Sequence, residues 1–93
     1  MKLDFDWDED KAKANAKKHK IGFEEAKTVF GDPFLQTFPD EEHSDEEQRF
    51  VNIGRSAQSK ILVVIHTERE GKIRINSSRK ATASERKFYE EGI

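Results

Sequence analysis

The chain has 93 residues, of which 33% are apolar and 39% are charged, and its formal net charge is −2. This length is enough for one domain with its own core but not for two, so we expect residues 1–93 to form a single domain. Cysteine is absent, which excludes a disulfide scaffold and a cysteine-ligated metal site and is typical of a reducing compartment. No signal-peptide pattern or membrane-length apolar run is present, so we expect a cytoplasmic protein without membrane contact.

The charge is distributed unevenly along the chain. Residues 40–47 contain six acidic side chains and no Lys or Arg, and without these six the remainder carries +4. Basic residues are concentrated in two segments, 11–20 and 72–87. If these segments meet in space, they form a surface that attracts anions.

The first third of the chain predicts one strand and two helices. Alternating apolar and acidic residues over 3–7 are typical of a short half-buried strand. Asp8 is a favourable N-cap for a helix that runs to His19, with Gly22 just past its end. Apolar residues at helical spacing predict a second short helix over 23–30.

The middle of the chain predicts three strands. One is expected over 34–38, and a second follows the acidic loop at 49–55. The continuous apolar run over 60–67 predicts a central strand that is covered on both faces.

A last strand and a last helix complete the prediction. The strand begins at Lys72, after a short turn that makes it the antiparallel neighbour of the preceding strand. Thr82 and Glu85 have the spacing of a capping box, which predicts a helix over 83–91. We therefore expect an α+β domain with an antiparallel or mostly antiparallel sheet of four to five strands. Two N-terminal helices and one C-terminal helix are expected to pack on one side of it.

The cations near the junction of the last strand and last helix are candidates for holding a phosphate. Arg74, Arg79 and Lys80 lie there, and guanidinium forks match phosphate oxygens, although each cation alone is equally compatible with a solvated surface. In an unbroken strand Arg74 and Arg79 face opposite ways. They converge only if a bulge or turn intervenes near residues 77–78.

The three histidines differ in context. His19 ends a basic helix, where the dipole favours the protonated form, so it is either a phosphate contact, an acid or a simple helix cap. His66 ends the most apolar strand and is either catalytic or structural. His43 lies in the acidic loop and is expected at the surface. The three lack metal-ligand spacing, so neither a metal nor another cofactor is expected.

The sequence resembles the BrnT family, the toxin components of BrnT/BrnA type II toxin–antitoxin systems. The matching segments follow one another over nearly the whole chain. They include Phe5-Asp6-Trp7-Asp8, Ile21-Gly22-Phe23-Glu24-Glu25-Ala26, Arg49-Phe50-Val51, Ile53-Gly54-Arg55-Ser56, Val63-Val64-Ile65-His66-Thr67-Glu68-Arg69, Ile73-Arg74-Ile75 and Arg79-Lys80-Ala81-Thr82. Asn76 and Ser78 depart from the apolar residue and the alanine expected at these positions.

The resemblance implies a RelE-like fold and a metal-independent endoribonuclease that cleaves RNA and inhibits translation. It also implies neutralisation by a cognate BrnA-like antitoxin, in a hetero-oligomer that binds operator DNA through the antitoxin. The alternative is a non-catalytic RNA- or protein-binding module.

A metal-free ribonuclease must activate the ribose 2′-OH, stabilise the charged phosphorane and protonate the departing 5′-oxygen. The candidates assigned to this chemistry are Arg74, Arg79, His19, Lys80 and His66. The candidates assigned to RNA binding are Lys18, Arg55 and Tyr89, with Tyr89 stacking on a base.

Overall fold

One five-stranded sheet organises the protein, which is described by a computed structural model over residues 3–43 and 47–92. The strands are β1 (Phe5–Asp6), β2 (Gln36–Pro39), β3 (Arg49–Arg55), β4 (Ile61–Arg69) and β5 (Lys72–Lys80). The helices are α1 (Glu9–His19), α2 (Phe23–Ala26) and α3 (Ala83–Glu91), with 3₁₀ turns at Lys27–Gly31 and Glu41–His43. None of the helices described here combines the length and the apolar content that crossing a bilayer requires.

The strand order is β1-β5-β4-β3-β2, with β1 parallel to β5 and every other pair antiparallel. Short connections explain the antiparallel pairs. The parallel strands β1 and β5 are far apart in sequence, and the chain between them forms two helices and the other three strands. The predicted α+β class and the mostly antiparallel sheet are therefore confirmed.

The two faces of the sheet bury different residues. On one side, here called the α1 face, Leu62, Val64 and Ile75 pack against Phe23 and Val29. On the other side, here called the α3 face, the packed residues are Ile53, Ile61, Val63 and Tyr89. The central strand β4 therefore contributes alternate residues to each face, as its continuous apolar run predicted.

The prediction that all helices pack on one side is wrong. Tyr89 of α3 lies on the face opposite α1 and α2. The reason is that β3 and β4 present apolar side chains to both sides, and each side needs a cover to exclude water.

Several local predictions hold, and two need correction. Asp8 Oδ1 accepts from the backbone of Asp10 and Lys11 at 2.8 and 3.1 Å, as expected of an N-cap. The C-terminus of α1 differs from the prediction, because Lys20, with φ 61°, and not Gly22, adopts the left-handed conformation. The predicted helix over 23–30 is only one α-helical turn followed by 3₁₀ structure.

A bulge in β5 decides which way its side chains point. Ile65 is opposite Ser77, but His66 is opposite Ile75, so Asn76 has no partner on β4. The extra residue lies one position before the predicted 77–78, and it reverses the alternation of all residues that follow. Arg74 and Arg79 consequently lie on the same α3 face, and Ser78 lies on the α1 face.

Asn15 joins α1 to β5. It is the one buried residue of α1, and its Nδ2 donates to the Ser78 carbonyl, to Ser78 Oγ and to the Ile21 carbonyl at 2.9, 3.0 and 3.0 Å. Its Oδ1 accepts from the Ser78 N–H at 3.0 Å. β1 pairs with β5 only as far as Arg74. The Asn15 side chain therefore satisfies backbone groups of β5 that β1 does not reach.

We expect Asn15→Ala to lower the free energy of unfolding by about 2–4 kcal/mol, because it leaves buried Ser78 donors and acceptors without partners. Urea unfolding at pH 7 measures the change. The exposed neighbour Ala14→Ser is the control, with an expected change within about 0.5 kcal/mol. Equal stability of Asn15→Ala and the wild type would contradict this account of α1 docking.

Candidate functional site

A cleft of about 430 Å³ opens on the α3 face of the sheet. Four of its lining side chains are cations, against one carboxylate and one histidine. A concave surface with this balance concentrates anions. The lining residues are Lys11, His43, Glu47, Arg49, Thr67, Arg69, Arg74 and Asn76.

The sheet register explains why these side chains converge. Arg49 of β3 is opposite Thr67 of β4, which is opposite Arg74 of β5, which is opposite Asp6 of β1. These positions form one row of same-face residues across four neighbouring strands, here called the cation row. A regular sheet therefore holds two guanidinium groups on either side of a threonine.

Carboxylates hold the guanidinium groups of the cleft in place. Arg74 Nη1 lies 2.5 Å from Asp6 Oδ2, and Arg69 binds Glu47 through two bonds of 2.6 and 3.1 Å. The hydrogen bond from Arg69 lowers the pKa of Glu47, and the nearby charges of Arg74 and Arg49 lower it further. Glu47 thus marks a position in the cleft where negative charge is stabilised.

Two polar groups lining the cleft lack partners. Thr67 Oγ1 and Asn76 Nδ2 are buried and make no hydrogen bond within residues 3–43 and 47–92. A buried polar group without a partner is costly, and a ligand that accepts hydrogen bonds would relieve that cost.

His43 is the one histidine that lines the cleft. Its Nδ1 lies 3.1 Å from Asp40 Oδ2, so this ring nitrogen carries the proton that faces the carboxylate. This contact leaves the other ring nitrogen, Nε2, available to a ligand in the cleft.

Arg79 lies on the same face as Arg74, but its guanidinium has a partner of its own. It forms a two-bond pair with Glu85 of α3 at 2.7 and 2.9 Å. Glu85 Oε1 also accepts from the Thr82 N–H at 2.8 Å and completes the predicted capping box. These contacts lower the pKa of Glu85 to about 2, with the Arg79 hydrogen bond as the largest cause. Arg79 therefore anchors the start of α3 to β5.

Lys80 and Arg55 lie together elsewhere. They line a second cleft of about 300 Å³, together with Lys60, Arg86 and Glu90 among others. This cleft is separated from the first by the α3 contacts with the sheet. Two of the predicted site residues are thus neighbours, although they do not share the cleft of Arg74.

Lys18 and His19 end α1, and their side chains form no hydrogen bond or ion pair with other described residues. One residue from each basic segment lines the cleft, Lys11 at the start of α1 and Arg74 of β5.

His66 and Tyr89 are inside the protein. His66 is 3% exposed, stacks on Phe50 at 5.0 Å and accepts a 2.7 Å hydrogen bond at Nδ1 from the Asn52 amide. Tyr89 is 1% exposed, and its hydroxyl donates to Asp32 Oδ2 at 2.5 Å. Neither ring presents a surface to a substrate.

Sequence reasoning missed Lys11, His43, Arg49 and Arg69 as members of the site. Arg49 and Arg69 could have been found from the register of the β3–β4 pair, which places the start of one strand beside the end of the other. His43 could not, because its position depends on a loop with no periodic pattern. Among the residues that the structure describes, no cluster of three metal-ligating side chains occurs.

Of the comparisons with known proteins, one identifies a family and another supports the fold. The sequence profile described as "Ribonuclease toxin, BrnT, of type II toxin-antitoxin system" matches residues 7–85. The crystal structure of the Brucella abortus ribonuclease toxin BrnT superposes with a TM-score of 0.67 at 23% identity, covering 87% of this chain and 99% of that one. At this identity the superposition supports the fold alone. A comparison with curated proteins gave no match.

The burial of His66 has a consequence for stability. Burial lowers the pKa of His66, and the Glu68 carboxylate, 3.6 Å from Nε2, acts in the opposite direction. An unfolded histidine titrates near pH 6.5, so the contribution of neutral His66 is full above about that pH and is lost as pH falls.

We therefore expect thermal stability to decline between about pH 6.5 and pH 5. His66→Gln removes the titrating group but keeps an acceptor for the Asn52 amide, so its stability should change less over that interval. Melting temperatures of both proteins at several pH values measure the difference. A steeper decline in the variant would contradict the assignment to His66.

Proposed function

Since the chain belongs to the BrnT family, the ribonuclease toxins of type II toxin–antitoxin systems, we propose that the cleft on the α3 face holds and cuts the RNA phosphodiester. The cation row carries this proposal, because it fixes Arg49 and Arg74 on a rigid sheet on either side of Thr67. Sites built on strands position charge better than sites built on loops.

The cations of the cleft have the geometry that phosphoryl chemistry requires. When the ribose 2′-OH attacks phosphorus, negative charge accumulates on the phosphorane oxygens. Arg74 and Arg49 supply fixed positive charge there, and Arg69 and Lys11 extend it along the backbone. The side chain of Arg74 is 22% exposed and pre-set by Asp6, so little reorganisation accompanies the reaction.

His43 is the titratable group that we assign to proton transfer. Asp40 orients its ring through Nδ1, which leaves Nε2 to take the proton of the 2′-OH or to protonate the 5′-oxygen. This role replaces the one predicted for His66, which is buried between aromatic rings on the other face. The role predicted for His19 stays a prediction, since no contact links it to the cleft.

Arg79, Lys80 and Arg55 take positions around this centre. Arg79 acts through Glu85, by holding α3 beside the cleft. Lys80 and Arg55 line the second cleft, where they would contact the RNA backbone away from the cut.

The family implies an antitoxin as partner. We propose that a BrnA-like antitoxin covers the cation row and supplies negative charge to it, and that the complex binds operator DNA through the antitoxin. RNA cleavage without a metal, inhibition of translation and a cytoplasmic location are parts of the same proposal. The family match favours this enzyme over a non-catalytic binding module.

We expect Arg74→Ala and Arg49→Ala each to reduce RNA cleavage by about 10²–10³-fold, because each removes a group that stabilises transition-state charge. Purified proteins are incubated with single-stranded RNA in EDTA, and the initial rates are compared. Lys27→Ala, which breaks only a surface ion pair with Glu24, is the control and should cut at the wild-type rate. Wild-type rates in both Arg variants would overturn the proposed site.

Glu47→Gln should increase the affinity of the cleft for polyanions, since it removes the carboxylate that competes with phosphate for Arg69. The measurement is titration with inorganic polyphosphate at fixed salt, with Glu24→Gln as a matched surface control. Weaker binding by Glu47→Gln would show that the carboxylate organises the cleft and does not compete for it.

A further inference from the structure

A second row of side chains borders the cation row on the α3 face. Phe38 of β2 is opposite Val51 of β3, which is opposite Ile65 of β4, which is opposite Ser77 of β5. Same-face residues along a strand are about 7 Å apart, so this apolar row runs parallel to the cation row at that distance. Its middle is partly exposed, since Val51 and Ile65 are only half-buried.

α3 lies along the far side of the apolar row. The helix contacts Arg79 through Glu85 near its start and Gln36 through the Tyr89 carbonyl near its end. Arg79 and Gln36 belong to the next row of the same face, so α3 crosses the sheet above that row. The α3 face therefore contains a trough with an apolar floor, a helical wall on one side and the cation row on the other.

Two aromatic rings close one end of the trough. Phe38 and Phe88 are 38% and 50% exposed, and their ring centroids lie 5.6 Å apart at an interplanar angle of 53°. Exposed aromatic rings that are held by each other offer flat surfaces at little cost in side-chain entropy.

We propose that this trough binds an unpaired nucleobase of the RNA, which stacks on one of the two rings Phe38 and Phe88 and contacts the edge of the other, while the adjoining phosphate occupies the Arg49 end of the cation row. The proposal rests on the proposed function of the cleft. The spacing supports it at Arg49, which is the diagonal neighbour of Phe38 on the adjacent strand, about 7–8 Å away, and a nucleotide spans a similar distance from phosphate to base. Arg74 lies two strands further across the sheet.

The chemistry of the trough favours nucleic acid over a protein partner. A purely apolar docking surface would be expected to lie away from a strongly charged cleft, whereas this one adjoins a cleft that is lined by four cations and one carboxylate. Alternation of stacking surfaces with backbone-binding cations is the arrangement by which proteins bind single strands. The floor is apolar, so the base is held by stacking and not by its hydrogen-bonding edge. The site therefore accepts different bases but requires that the base be unpaired.

The test compares two probes that cannot be cut. One is a single-stranded 2′-O-methyl RNA oligonucleotide of mixed sequence, and the other is inorganic polyphosphate, which has the charge but no base. Phe38→Ser and Phe88→Ser should each weaken oligonucleotide binding about tenfold and leave polyphosphate binding unchanged. Phe34→Ser, which removes an equally exposed ring at 50%, should leave both unchanged.

Further variants make each outcome decisive. Phe38→Tyr keeps the stacking surface and should restore oligonucleotide binding, and the same oligonucleotide in a duplex should not distinguish the variants.

The proposal is overturned if the serine variants bind the single strand as the wild type does, or if they lose both probes equally. It is also overturned if they bind RNA normally but escape neutralisation by the antitoxin, because the rings would then serve a protein partner. Loss of cleavage in Arg74→Ala together with normal binding by the Phe variants would reject the base site alone and leave the proposed function intact.

Discussion

The docking of α1 depends on a single carboxamide that behaves as a strand neighbour. Asn15 bonds the N–H and the carbonyl of Ser78 at the point where β1 no longer covers the edge of β5. The helix itself is rich in alanine and lysine and buries little apolar surface, so packing alone would fix it weakly. Because Lys11 is one turn before Asn15 on the same helix, the hydrogen bonds that dock α1 also carry Lys11 to the rim of the cleft.

Ion pairs fix the arginine side chains of the α3 face in a similar way. Arg69, Arg74 and Arg79 each have a carboxylate partner on another part of the chain. Exposed pairs of this kind contribute little to stability, roughly 0–1 kcal/mol each. Their effect is on geometry, since they hold long flexible side chains in one orientation. The three differ in what they hold: Arg79 secures α3, whereas Arg69 and Arg74 remain at the border of an open cleft.

Much of the fold could be predicted from the sequence, because periodicity, capping residues and turn lengths are local signals. The strand over 49–55 and the helix over 83–91 have the predicted bounds. The site could be predicted only in part. Arg74, a candidate because of its position on a strand, lines the cleft, but the positions of Arg49 and Arg69 depend on which residues of β3 and β4 face each other. The ion pair of Arg79 could not be predicted, because the sequence identified Glu85 only as a capping residue of α3 and not as the partner of Arg79.

The extra residue of the bulge, Asn76, determines which side chains of β5 point to the helices on each side of the sheet. Everything beyond it in β5 is out of phase with what precedes it, so Ser78 turns toward α1 and Arg79 toward α3. An unbroken strand with the same residues would exchange those two destinations, and α1 and α3 would lose their anchors together. The docking of both helices and the shape of the candidate site therefore depend on the same local break in the pairing of β5 with β4.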